Sequence, residues 1–392
     1  MTNNNDNYDN VFSYRHFLDA LKKCNKGVSY KGSVQLYDIL CLERIEKSKR
    51  FLDKCQLPPI GNMEQVVIRE RGKQRIITPV KISDRMVQHV LCDNALTPVI
   101  NKHLIFDNCA SIKNKGTSFA RNRLLKKIVQ ANREYKNKYY VLVFDFKNFF
   151  DSIRHSQCRK VLNSYFSDKR IVNMAMDIIH SYSLRKALKD GNIEDYNEIL
   201  NDNGVGICLG SQVSQIMALT IPNKLDHYIK DNMRERYYIR YMDDGIIFSK
   251  TKEHLKKLLI GIEGVSESIG LELNHRKTHI SKVSNGFKFL KIHYVIKPSG
   301  KIIKKLDKSS SVRMVRKLKK YKNLVKDNLM TKDDVFASVQ SWLGYIKIAN
   351  SYRVRRRIIA LYSKLFGGYR ITNEWSRKRG VKTSNELLQN NK

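Results

Sequence analysis

Acidic residues are scarce in this sequence: 37 Asp and Glu face 74 Lys and Arg across 392 residues, a formal charge of +37. Such an imbalance excludes a protein built around cationic partners and calls for a polyanion instead. Long apolar runs are missing too. None approaches the roughly 18 residues that would span a bilayer, so no membrane partner is expected. The opening Met-Thr-Asn-Asn-Asn-Asp-Asn lacks the apolar core of a secretion signal and reads as a short disordered tail on a cytoplasmic protein. The seven cysteines are odd in number and never fall in a Cys-x-x-Cys pair. That excludes a disulfide framework or a structural zinc site and leaves reduced, mostly buried, small apolar side chains. No internal repeat is present, and low complexity is confined to the Asn-rich ends.

What is there suffices for a globular protein. A hydrophobic content of 42% supplies a core, and the length suggests two or three compact units. Nucleic acid is the favoured polyanion, because phosphate contacts by Lys and Arg release condensed counterions and give affinity independent of base sequence. A basic soluble protein from a lysine-rich proteome is the bland alternative, and a membrane surface ranks third.

Residues 12–56 place apolar side chains at helical spacing and predict two helices. Pro58-Pro59 and Gly61-Asn62 end that segment and introduce a β-hairpin, residues 65–70 and 75–80, turning at Arg71-Gly72-Lys73 with Arg69 and Arg75 on either side. Helical patterns follow over 84–96 and 118–132. Tyr139–Phe144 is a nearly continuous apolar and aromatic run typical of a buried strand, and Asp145 closes it. A strand over 237–241 leads into Met242-Asp243-Asp244-Gly245, and another strand follows over 246–249. By itself Asp-Asp-Gly between strands is an ordinary hairpin signal. After Val295 the chain turns basic: eleven Lys or Arg lie between Lys301 and Lys326, with Val312, Val315, Leu318, Tyr321 and Val325 at helical spacing, which predicts a helical region reaching about Phe366.

Asp145 at a strand end and Asp243-Asp244 at a hairpin tip about a hundred residues later could converge if the strands are neighbours. Hard carboxylate ligands brought together in this way suit Mg²⁺ ions that activate a hydroxyl and neutralise phosphate charge. Aspartates at apolar strand ends are costly unless a cation compensates them.

These residues resemble the reverse transcriptases. Tyr241-Met242-Asp243-Asp244 is similar to the family's YxDD signature, and Phe-Asp-Phe-Lys-Asn-Phe-Phe-Asp-Ser-Ile at 144–153 to its first catalytic motif. Gly-Ile-Cys-Leu-Gly-Ser-Gln-Val-Ser-Gln at 206–215, with Ala218, resembles the motif that positions template and nucleotide. Leu-Glu-Leu-Asn at 271–274 with Lys277-Thr278 resembles the next, and 287–295 the primer-grip hairpin. All stand in family order over about residues 60–350.

The resemblance implies an α+β right-hand polymerase, with fingers and palm around an antiparallel sheet and then an α-helical thumb. The expected divisions are an N-terminal extension 1–56, fingers 57–140, palm 141–298 with a fingers-type insertion at about 154–204, thumb 299–368 and a tail 369–392. It assigns Asp145 and Asp243 to two Mg²⁺ ions, for which Mn²⁺ is an expected substitute. Asp244 is the supporting carboxylate, and Phe146 joins these positions at the metals. Lys277 matches a lysine that protonates departing pyrophosphate. Nucleotide contacts are expected from Arg69 and Arg75, which suit bidentate phosphate recognition, and from Phe146, Phe150, Leu209, Gly210, Gln215 and Tyr241. Phe150 occupies the position whose ring excludes a ribose 2′-hydroxyl, so the implied product is DNA. As bland readings, Phe150 is a core aromatic, Arg69 and Arg75 sit on a solvated hairpin, and Lys277 is one lysine among many.

Departures narrow the subclass. Leu209-Gly210 replaces the usual Gln-Gly, and Ser214-Gln215 the usual Ser-Pro; this pattern resembles diversity-generating retroelements and some defence-associated enzymes. Leu209 cannot donate hydrogen bonds, so nucleotide selectivity should weaken. Lys291 stands where relatives carry the Gly of Phe-Leu-Gly. Retrons are less favoured, since their thumb motif is not found, and no integrase, RNase H or zinc endonuclease segment is expected. The implied partners are an RNA template from the same locus, a DNA or RNA primer, deoxynucleotides, a cognate noncoding RNA and an accessory protein. An RNA-binding maturase-like scaffold and a template-free or protein-primed polymerase remain alternatives.

Overall fold

The computed structural model describes residues 5–59, 66–70, 73–77, 79–136, 138–190 and 193–367, without the side chains of 69–76 and 185–196. The chain divides into two compact units, Met1–Ile280 and Ser281–Lys392. The hairpin over 287–296 lies in the second unit, where it pairs with a strand beyond it.

In the first unit, β1 (Val66–Glu70) and β2 (Lys73–Ile77) pair antiparallel. A four-stranded sheet combines β3 (Tyr140–Phe144), β4 (Tyr238–Tyr241), β5 (Asp244–Ser249) and β6 (His279–Lys282) in the order β4-β5-β3-β6. Its centre reads as continuous apolar sequence because both faces are covered: Val141, Leu142 and Phe144 are buried, as are Ile246, Ile247 and Phe248.

Helix Thr117–Tyr135 packs on β4 and helix Lys252–Ser268 on β3 and β5, with further helices around them. Those expected over 84–96 and 118–132 run Ile82–Leu91 and Thr117–Tyr135, the first continuing through a π-helical turn at Cys92–Leu96 into Thr97–Ile100. The segment expected as an insertion, about 154–204, forms helices His155–Tyr165, Lys169–Asp190 and Ile193–Leu200. The N-terminal segment holds four short helices rather than two: Tyr8–Val11, Tyr14–Asn25, Gly32–Ile39 and Cys41–Leu52.

The expected disordered tail is corrected over residues 5–7. The Asp6 carboxylate accepts from the backbone N–H groups of Ser167 (2.9 Å) and Asp168 (3.1 Å), and Asn7 caps the first helix. Short polar side chains that satisfy free backbone donors explain the order. Residues 1–4 lie outside the described residues. Cys24, Cys92, Cys109 and Cys158 are buried thiols as expected, whereas Cys55 is exposed.

The second unit contains an antiparallel sheet of β7 (Phe287–Phe289), β8 (Ile292–Ile296) and β9 (Ile302–Leu306), followed by helices Lys308–Lys326, Lys332–Ile346 and Tyr352–Phe366. β9 takes the start of the stretch read as basic helix. Leu318 enters the core as expected, together with Met314, but Val312 is 47% exposed. The Lys308–Lys326 helix carries eight Lys or Arg and no acid, a solvated cationic face. The Leu290-Lys291 turn joins β7 to β8 with φ of 46° and 68°. Both are left-handed, as a two-residue hairpin turn requires, so Lys291 occupies a conformation that glycine adopts without strain. The hairpin therefore forms in spite of the lost glycine. Among the described residues, no helix is long and apolar enough to cross a membrane.

Candidate active site

The register of the four-stranded sheet brings the aspartates together. Phe144 pairs with Gly245 across β3 and β5, and Tyr241 pairs with Asp244 across β4 and β5. One residue further, Asp145 stands opposite Asp244. The turn itself is Met242-Asp243, with β5 resuming at Asp244, and Met242 has φ 54°. A side chain in that region costs on the order of 1 kcal/mol and persists only where surrounding structure imposes it. The following glycine is a packing requirement: a Cβ at Gly245 would lie 2.1 Å from Cζ of Phe144, whose ring stacks on Tyr238.

Beyond β3 the backbone joins the 271–278 motif. Phe146 bridges Leu273, and the Asp145 carbonyl accepts from Asn274 N–H at 2.8 Å. The turn that follows brings Lys277 back, and its Nζ donates to both oxygens of the buried Asp145, at 2.6 and 2.8 Å. Burial acts to lower Lys277, but the hydrogen bond and the charge of Asp145, helped by Asp243 and Asp244, outweigh it and raise its pKa. So held, Lys277 is poorly matched to donating a proton near neutral pH.

Asp244 behaves in the opposite way. Burial first, then the charges of Asp243 and Asp145 and a hydrogen bond with Asp145, push its carboxyl up to about 7, against a smaller lowering by Lys277. Close, buried carboxylates resist common ionisation. The three acids are neighbours without forming a closed cage. Among the described residues, no group of three His, Cys, Asp or Glu side chains is arranged to hold a metal, and both Asp145 oxygens accept from Lys277. Their chemistry nonetheless fits a hard divalent cation: three carboxylates that offer only oxygen donors, close enough for their charges to raise Asp244.

The other expected positions divide. The Phe146 ring is buried and stacks on Phe149, 5.4 Å between centroids, so only its backbone could serve a ligand. Phe150 is half-buried, edge-on to Phe149, and its carbonyl accepts from Ile207 N–H at 2.9 Å. That bond ties it to the loop leading into Leu209-Gly210, where Gly210 has φ 118°. Gln215 is exposed on the helix Gln212–Thr220, while Leu209 and Tyr241 are half-buried. Arg69 and Arg75 occupy β1 and β2, but their side chains, like the turn residues 71 and 72, lie outside the described residues.

Gln88 was not legible from the sequence. It is buried, and its Oε1 accepts from Ser211 Oγ (3.1 Å) and Gln212 N–H (2.9 Å) while its Nε2 donates to Tyr182 (2.7 Å). It thus supports the start of the Gln212–Thr220 helix, a role no local pattern announces.

A family model described as "Reverse transcriptase (RNA-dependent DNA polymerase)" matches residues 64–294. The retron Ec73 reverse transcriptase of Escherichia coli is 21% identical over 254 residues, covering 61% of this chain and 70% of that protein. Protein YkfC of Escherichia coli strain K12 is 24% identical over 184 residues, covering 38% of this chain and 45% of its own length. Among solved structures, the truncated apo telomerase from Candida tropicalis has a TM-score of 0.44 at 15% identity, covering 66% of this chain and 59% of that one.

Proposed function

Because the chain belongs to the reverse transcriptase (RNA-dependent DNA polymerase) family, we propose that it synthesises DNA on an RNA template, with Asp145, Asp243 and Asp244 holding two Mg²⁺ ions. The observation that carries this reading is the convergence of three aspartates at neighbouring strand ends, where burial and the charges of Asp243 and Asp145 push the Asp244 carboxyl up to about 7. Bound Mg²⁺ would supply activation of a primer 3′-hydroxyl and charge neutralisation on the triphosphate. Asp145 and Asp243 would hold the ions, and the nearby cationic charge would favour the ionised form of Asp244 against the raising effect of its neighbours. Lys277 would have to leave Asp145 before it could give a proton to pyrophosphate. The Phe150 ring would shut out a ribose 2′-hydroxyl, Arg69 and Arg75 would clamp the triphosphate, and the backbone of Phe146 and the Leu209-Gly210 loop, with Gln215 and Tyr241, would line the nucleotide. Fingers and palm make up most of the first unit, and the basic helices after Asp307 form the thumb along template and primer.

The template is RNA from the same locus, in phage defence or diversification. The retron relative supports a dedicated noncoding RNA, while Leu209 and Ser214-Gln215 support the diversifying branch. The test is incorporation of labelled deoxynucleotides on primed RNA with Mg²⁺, beside an Asp243→Asn/Asp244→Asn variant and a reaction without template. Synthesis should fall by about 10³-fold or more in the variant, with RNA affinity retained. Undiminished synthesis would overturn the acid assignment, and product without template would favour the template-free alternative.

A further inference from the structure

Arg240, on β4, is a charged residue inside a strand that is otherwise apolar and aromatic, and it is fully buried. Its guanidinium is spent on three separate partners. Nε and Nη2 form a fork on Asp226, 2.7 Å to Oδ1 and 2.6 Å to Oδ2. Nη2 also donates to the carbonyl of Leu219, near the end of the Gln212–Thr220 helix, at 2.9 Å. Nη1 donates to the carbonyl of Met242, in the turn that carries Asp243, at 2.9 Å. Asp226 is completed by the Tyr238 hydroxyl at 2.7 Å. The strand is also tied down, since Arg240 N–H donates to Asp107 O and Arg240 O accepts from Cys109 N–H.

Stability alone does not require this arrangement. A buried ion pair is often no more stabilising than an apolar pair of similar volume. What only a rigid planar fork can do is hold several acceptors in one geometry, and here one acceptor is the carbonyl of a residue with left-handed φ. We propose that Arg240, fixed by Asp226, is a positioning residue that sets the Met242-Asp243 turn against the helix bearing Gln215, and so aims Asp243 and Asp244. The effect on synthesis rests on the polymerase reading above; the effect on the turn does not.

The test replaces both partners, Arg240→Met with Asp226→Leu, so that no buried charge is stranded, alongside Arg240→Lys. Three properties are read: thermal unfolding, the ¹³C-methyl NMR signal of Met242 assigned through Met242→Leu, and DNA synthesis. The double variant should unfold cooperatively, split or broaden the Met242 signal, and lose about 10- to 100-fold in kcat with RNA affinity and nucleotide KM little changed. Arg240→Lys, which keeps the charge but not the fork, should fall between it and the parent. A purely structural pair would lower the unfolding temperature and leave the Met242 signal single. That outcome, with synthesis within about twofold of the parent, would overturn the proposal. If the double variant does not fold, the Met242 signal of Arg240→Lys decides: split supports positioning, unchanged refutes it. If the parent makes no DNA, the polymerase reading fails, and the Met242 signal still decides whether Arg240 sets the turn.

Discussion

Asp226 and Asp244 lie in the same unit and are linked through Arg240 and the catalytic turn, yet their surroundings are opposite. Asp226 is fully buried and receives a guanidinium fork and a tyrosine hydroxyl. Asp244 receives mainly other acids, and burial with their charge pushes its carboxyl up to about 7. Cations are not in short supply in a chain with 74 Lys and Arg. The contrast teaches that the acid kept for structure is matched by a guanidinium fork from within, while at the turn the charges of neighbouring acids raise Asp244, the environment that the proposed Mg²⁺ would relieve.

The strongest way to break this comparison is to strand the internal cation. Asp226→Asn leaves the Arg240 charge buried without its counterion, and stability should fall by about 3–5 kcal/mol, read by urea unfolding. A loss no larger than that of a surface substitution would mean that Arg240 finds another partner and that the Asp226–Arg240 pair is not what neutralises either charge.

Asp244→Asn should act in the opposite direction. A carboxyl raised from its ordinary range to about 7 contributes stability that is fully present below that ordinary range and is lost as pH rises through about 7. In EDTA at pH 8 the parent is therefore penalised and the Asn variant is not, so the variant should be more stable by roughly 1–3 kcal/mol while making far less DNA. The gain should vanish near pH 4. A variant less stable than the parent at pH 8 would show that Asp244 is compensated after all.

The two sites also differ in how far the sequence revealed them. Asp145, Asp243 and Asp244 were legible as a set because each sits in a short motif at a strand end, and Tyr139–Phe144 announced a buried strand by its nearly unbroken apolar run. The precise turn was not: Asp-Asp-Gly looked like the loop, whereas register places the turn one residue earlier, and the packing of Phe144 on Gly245 is a tertiary fact. Asp226 was silent, since an aspartate in a short helix looks like a solvated one. A signal did exist in Arg240, because a charge inside a strand as apolar as Tyr237-Tyr238-Ile239-Arg240-Tyr241 demands a buried partner. β9 was missed because Ile-Ile-Lys-Lys-Leu alternates no better than it fits a helix, and Lys277 could be matched to a motif but not to Asp145, 132 residues away.

Lys277 supplies the smallest and most discriminating change. It lowers Asp244 from outside while hydrogen-bonding to Asp145, and its side chain is 54% exposed, so solvent screens the pair and it works as a replaceable cation rather than a built-in one. Lys277→Met should raise the Asp244 carboxyl further, so the loss of stability with rising pH should occur at higher pH than in the parent, with a change on the order of 0.5 kcal/mol near neutrality. Mg²⁺ should then bind without a competing ammonium on Asp145, and less of it should be needed to restore stability at pH 8. If Lys277→Met instead costs as much as Asp226→Asn, then Asp145 is neutralised from within like Asp226, and the division between the structural acid and the acids at the turn fails at Asp145.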